Sequence, residues 1–151
     1  MPDIAGAMAA IEARLAANWT TTRIAYANTT PDQPWPPTNP DTGNDAPWVL
    51  IEIVNNLSNP RAAGVPGNQF WLYEGLVHVH VFVPLNYGIA DARSYASQIG
   101  DIYRNKTFYN DTPGYQVRTI SPRIDGGDSG SDDGTWFRVT STTNFEYYHR
   151  G

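Results

Sequence analysis

A valine recurs at every second position from Val77 to Val83, with the two polar histidines between, inside the longer stretch FWLYEGLVHVHVFVP, Phe70–Pro84. Val77, Val79, Val81 and Val83 fall on one side, and Leu76, His78, His80 and Phe82 on the other. A period of two is the signature of a strand. Four β-branched residues on one face imply burial against a packed layer. The opposite face, with two imidazoles between Leu76 and Phe82, is semi-polar and must meet something else.

Periodicity elsewhere predicts the remaining elements. Asp3 is placed to cap a helix over residues 3–18, with Ile4, Met8, Ile11 and Leu15 on one face. Residues 23–28 read as a short strand. The segment Thr29–Pro47 carries six prolines and forms a long loop. Trp35 within it is either an anchor that docks on a neighbour or a side chain that folds back on its own domain. Trp48–Asn55 reads as a central strand and Asn56–Asn68 as a turn-rich loop. Gly75 marks a bulge or a place where another backbone comes close.

A second helix is predicted over Ile89–Arg104, burying Ile89, Ala92, Ala96, Ile99 and Tyr103. Residues 105–115 are polar and turn-rich. A strand follows over Gln116–Asp125, where Pro122 favours an edge or a bulge. The acidic loop of residues 125–134 then leads into Thr135–Tyr148, which should pair back on the preceding strand. The order α-β-β-β-α-β-β predicts a single α+β domain spanning residues 1–151. Its sheet would be mixed or antiparallel, of about five strands, with both helices packed on one face, over the valines.

Composition narrows the function. The 151 residues suffice for one core, and no internal repeat is present. The absence of cysteine excludes disulfides, thiolate metal sites and a cysteine nucleophile. A formal net charge of -5 with 10 Lys plus Arg argues against a surface that grips nucleic acid, which needs clustered cations. The N-terminus lacks signal-peptide character and no run is long enough to span a bilayer, so a cytoplasmic origin is expected. Nine Tyr and five Trp lean toward assembly, because aromatics supply large contact area at little entropy cost.

Candidate chemistry is sparse. His78 and His80 share a strand face at a spacing that metal sites use, yet no motif places a third ligand, and a polar interface face is the better account of them. Asp125, Asp128, Asp132 and Asp133 invite a calcium reading, but the EF-hand order and its closing glutamate are missing. No nucleophile elbow, phosphate loop or dinucleotide fingerprint occurs. The expectation is a protein without cofactor, metal or catalytic site.

The order of several short motifs resembles the tail terminator, or tail completion, proteins of long-tailed phages and gene transfer agents. These are ARLAANW (Ala13–Trp19), IAYAN (Ile24–Asn28), PWV (Pro47–Val49), the glycine-led strand Gly75–Pro84, VPLNYG (Val83–Gly88) and WFRV (Trp136–Val139). The resemblance implies a structural virion subunit that assembles as a homo-oligomeric ring, typically a hexamer, on the last ring of the tail tube. There it would stop polymerisation and meet the head connector. Its partners would be the major tail tube protein and the connector, with DNA passing through the channel unbound. Its place would be the head-proximal end of the virion tail, after assembly in the host cytoplasm.

On this reading Trp35, Leu76, His78, His80, Phe82, Asp128, Asp132 and Asp133 are interface candidates. Another head-tail joining or tail-tube ring protein would share these features. A small metal-dependent enzyme is a further alternative.

Overall fold

The computed structural model describes residues 2–85, 87–129 and 136–151. In chain order the elements are α1 (Ile4–Asn18), β1 (Arg23–Tyr26), β2 (Trp48–Pro60), β3 (Phe70–Pro84), α2 (Ala90–Tyr103), β4 (Lys106–Phe108), β5 (Gln116–Ile124), β6 (Asp128–Ser129) and β7 (Trp136–Arg150). The strands form one mixed sheet in the order β1-β2-β3-β7-β5-β4, with β6 pairing on β7. Among the described residues β1 and β2 run parallel and the other strand pairs are antiparallel. This is the expected α+β architecture, with more strands than expected.

The Asp3 carboxylate accepts from the Gly6 amide at 2.7 Å and so caps α1. The helix ends where Trp19 turns extended while its amide still donates to the Leu15 carbonyl. Ala7, Ile11 and Leu15 are buried along α1, as are Ala92, Ala96, Ile99, Gly100 and Tyr103 along α2. Both stripes join Val77, Val79, Val81 and Val83 in one core. The valine face of β3 therefore lies under the helices, as the alternation predicted. Each fully buried aliphatic side chain there contributes roughly 1.5–3 kcal/mol. The Tyr103 hydroxyl donates to the Ile11 carbonyl at 2.6 Å and ties the helices together. Burial pushes that phenol's pKa well above the ordinary tyrosine range.

Strand β3 is central, paired with β2 from Trp71 to Phe82 on one side and with β7 along its whole length on the other. Gly75 is a site of close approach: a Cβ there would collide with the Val54 carbonyl and lie 2.7 Å from the Phe145 ring. The bulge falls on the neighbouring strand, between Asn55 and Leu57, opposite Gly75 and Glu74. Pro122 likewise sits at a register shift, between Thr119 and Pro122 of β5.

Several boundaries differ from the sequence expectations. Strand β2 continues to Pro60 rather than ending at Asn55, because β3 supplies a full ladder beside residues whose own preferences favour turns. Strand β1 stops at Tyr26 rather than residue 28, where Asn28 takes a φ of 55° and turns the chain away. The short β4 lies in a segment expected to be all turn and exists through its pairing with β5.

Candidate functional site

The face of the sheet opposite the helices is built by alternate residues of three strands. Cross-strand register places His78 between Glu52 of β2 and Thr142 of β7, and His80 between Leu50 and Thr140. Leu76 lies between Val54 and Asn144, and Phe82 between Trp48 and Arg138. The structure thus brings four of the interface candidates into one row, because residues two apart on a strand share a face. No helix covers this face among the described residues; the buried stripes of both helices belong to the valine side.

Each histidine is held by a threonine hydroxyl across the strand gap. His78 Nδ1 is 2.9 Å from Thr142 Oγ1, and His80 Nδ1 is 2.7 Å from Thr140 Oγ1. With Nδ1 engaged in both rings, Nε2 is the atom left for an outside partner. The rings lie nearly parallel, 16° apart, with centroids separated by 5.9 Å. Zinc needs each nitrogen at about 2.0–2.1 Å, so parallel rings this far apart do not converge on one ion. Among the described residues no group of three His, Cys, Asp or Glu is placed to hold a metal. Burial, and next the Arg138 guanidinium, push the His80 pKa below its ordinary value; Glu52 and Asp125 oppose them more weakly.

One end of the face is aromatic. Trp48 stacks on Phe82 at 4.3 Å and meets Trp136 edge-on at 5.8 Å. Trp35 reaches the same cluster from the proline-rich loop, edge-on to Trp48 at 5.0 Å. The Arg23 guanidinium lies 4.9 Å over the Trp35 ring and donates to the carbonyls of Asp32 and Pro34 at 2.6 Å each. In this chain, therefore, Trp35 folds back on its own domain. Phe82 is only 7% exposed, its surface covered within the chain, whereas Leu76, His78 and His80 stay half-buried.

The acidic loop is partly structural. The Asp125 carboxylate accepts from the amides of Gly127 and Thr140 at 3.1 and 3.0 Å, tying the chain just after β5 to β7. Asp128 lies in β6, in register with Arg138. Asp132 and Asp133 lie outside the described residues.

The threonine partners, Glu52 and Arg138 were not among the expected site residues. The signal for the β7 side was present in the sequence: Arg138, Thr140, Thr142 and Asn144 have the opposite parity to the core positions Val139, Phe145 and Tyr147. Which β7 residue stands opposite which histidine is a matter of register, and register needs the assembled sheet.

No helix among the described residues is long and apolar enough to cross a membrane. No family model and no curated protein matches the chain. Among the solved structures that do match, one without a descriptive name is 19% identical, with a TM-score of 0.62, over 93% of this chain and 92% of its own. At that identity the likeness extends to the fold, which the two chains share over nearly their whole lengths.

Proposed function

We propose that this chain is a structural ring subunit of a long-tailed phage or related particle, closing the head-proximal end of the tail tube and presenting a surface to the head connector. The observation that supports this most is the asymmetry of the sheet. One face is sealed by both helices, while the other carries a half-buried row of Leu76, His78 and His80 with no helix over it among the described residues. An antiparallel sheet can leave one face to water, but Leu76 beside the histidines and the aromatic end of this face offer surface that a neighbour can cover. The order of the motifs along one α+β domain is what connects that neighbour to a tail terminator ring.

On this reading the row forms subunit or tube contacts, and the arm of residues 29–47 rims the same face through Trp35. The net charge of -5 suits a channel that DNA traverses without sticking. Asp128, Asp132 and Asp133 would contribute to that repulsion.

The test is the protein's mass in solution, alone and with tail-tube protein, by light scattering and electron microscopy. A six-membered ring at the end of the tubes is the expected result. A monomer that never joins a tube end would sink the reading.

A further inference from the structure

Sheet edges expose unpaired amides and carbonyls and are protected by shortness, charge or proline. Most edges of this sheet carry such protection. Strand β1 has four residues and begins at Arg23, and β4 has three and begins at Lys106. The stretch of β5 beyond β4 carries Pro122 and Arg123. Strand β2 differs. Its pairing with β1 ends at Ile51, and from Glu52 to Pro60 it pairs, among the described residues, with β3 alone.

The eight residues Ile53–Pro60 contain no charge, their one proline stands at the far end, and they expose Val54 at 37% and Leu57 at 47%. A bulge commonly twists an edge away from pairing, but here it has a second effect. Val54 stands opposite Leu76 and Leu57 opposite Glu74, so the shift between Asn55 and Leu57 turns both exposed apolar residues to the same face of the sheet.

We infer that this edge pairs with the same edge of a second copy of the chain, antiparallel about a two-fold axis between Asn55 and Asn56. That register sets Val54 of each copy opposite Leu57 of the other. All four apolar side chains then lie on one face, beside Leu76. The occupant is a second copy because the edge is self-complementary in this sense, and because the other edges are protected against pairing. Joining one strand to another buries less than the about 1,200 Å² of a stable specific interface, so the dimer is reversible and dissociates on dilution. Such an interface is isologous, whereas a ring closes through head-to-tail contacts. The two readings therefore stand or fall on separate measurements.

Sedimentation velocity of the full chain alone, over a concentration series, tests the inference alongside amide hydrogen exchange. The mass should rise from one chain toward two, and the edge-facing amides of residues 53–59, those not already bonded to β3, should become protected in parallel. Leu57→Lys should remain monomeric with an unchanged unfolding midpoint. If that variant does not fold, Asn59→Glu, which the same register sets opposite Glu52 of the other copy, reads the same contact through like-charge repulsion. A wild type that stays monomeric throughout overturns the inference, as does a dimer insensitive to the lysine. A hexamer insensitive to it overturns edge pairing while leaving the ring reading intact.

Discussion

His80 shows how much one position depends on its neighbours. The imidazole is held by Thr140 and depressed in pKa by burial and then by Arg138, so the folded state favours its neutral form. Unfolded chains bind the proton near the ordinary pKa of about 6.5. Stability is therefore fully present above that value and falls as the pH drops through it toward the lower folded pKa, because the unfolded state then holds more protons. Denaturant unfolding between neutral and mildly acidic pH should show this loss, and His80→Gln should reduce its slope within that window. An identical slope in the variant would assign the loss to other groups. Glu52, His78 and Asp125 are the other titratable groups acting on this ring.

Between elements, the constraint is the spacing of β2, β3 and β7 at Gly75. The β3 backbone passes so close to the Val54 carbonyl and the Phe145 ring that even a methyl group has no room. Gly75→Ala should destabilise the fold by about 1–3 kcal/mol, the usual cost of overpacking, measured by denaturant unfolding. A neutral result would mean that the Asn55–Leu57 bulge can slide to absorb the methyl. The sequence marked Gly75 as either a bulge or a close approach. Choosing between them required the neighbouring strand, because the extra residue resides on β2.

For the molecule as a whole, the arm of residues 29–47 is held by the contact of Trp35 with Trp48, by the Arg23 bonds to nearby carbonyls and by the buried Pro37. An aromatic pair of this kind contributes about 0.5–1.5 kcal/mol beyond area burial. Trp35→Ala should therefore lower global stability only modestly while making residues 29–47 several-fold more susceptible to limited proteolysis. On the ring reading it should also weaken capping of tube ends. Loss of the global fold would show instead that the arm is part of the core.

The sequence by itself determined the two helices, the central strand Phe70–Pro84, the division of that strand into a valine face and a histidine face, and the α+β class. These follow from periodicities of 3.6 and two, which are local properties of the chain. The tertiary structure decided the full length of β2, the existence of β4, the docking of Trp35 on Trp48, and the pairing of His78 and His80 with Thr142 and Thr140. Each depends on which residue lies across a strand gap or a fold of the chain. Such contacts between distant segments depend on register and packing, and the alternation within one strand says which face a residue takes but not which residue stands opposite it.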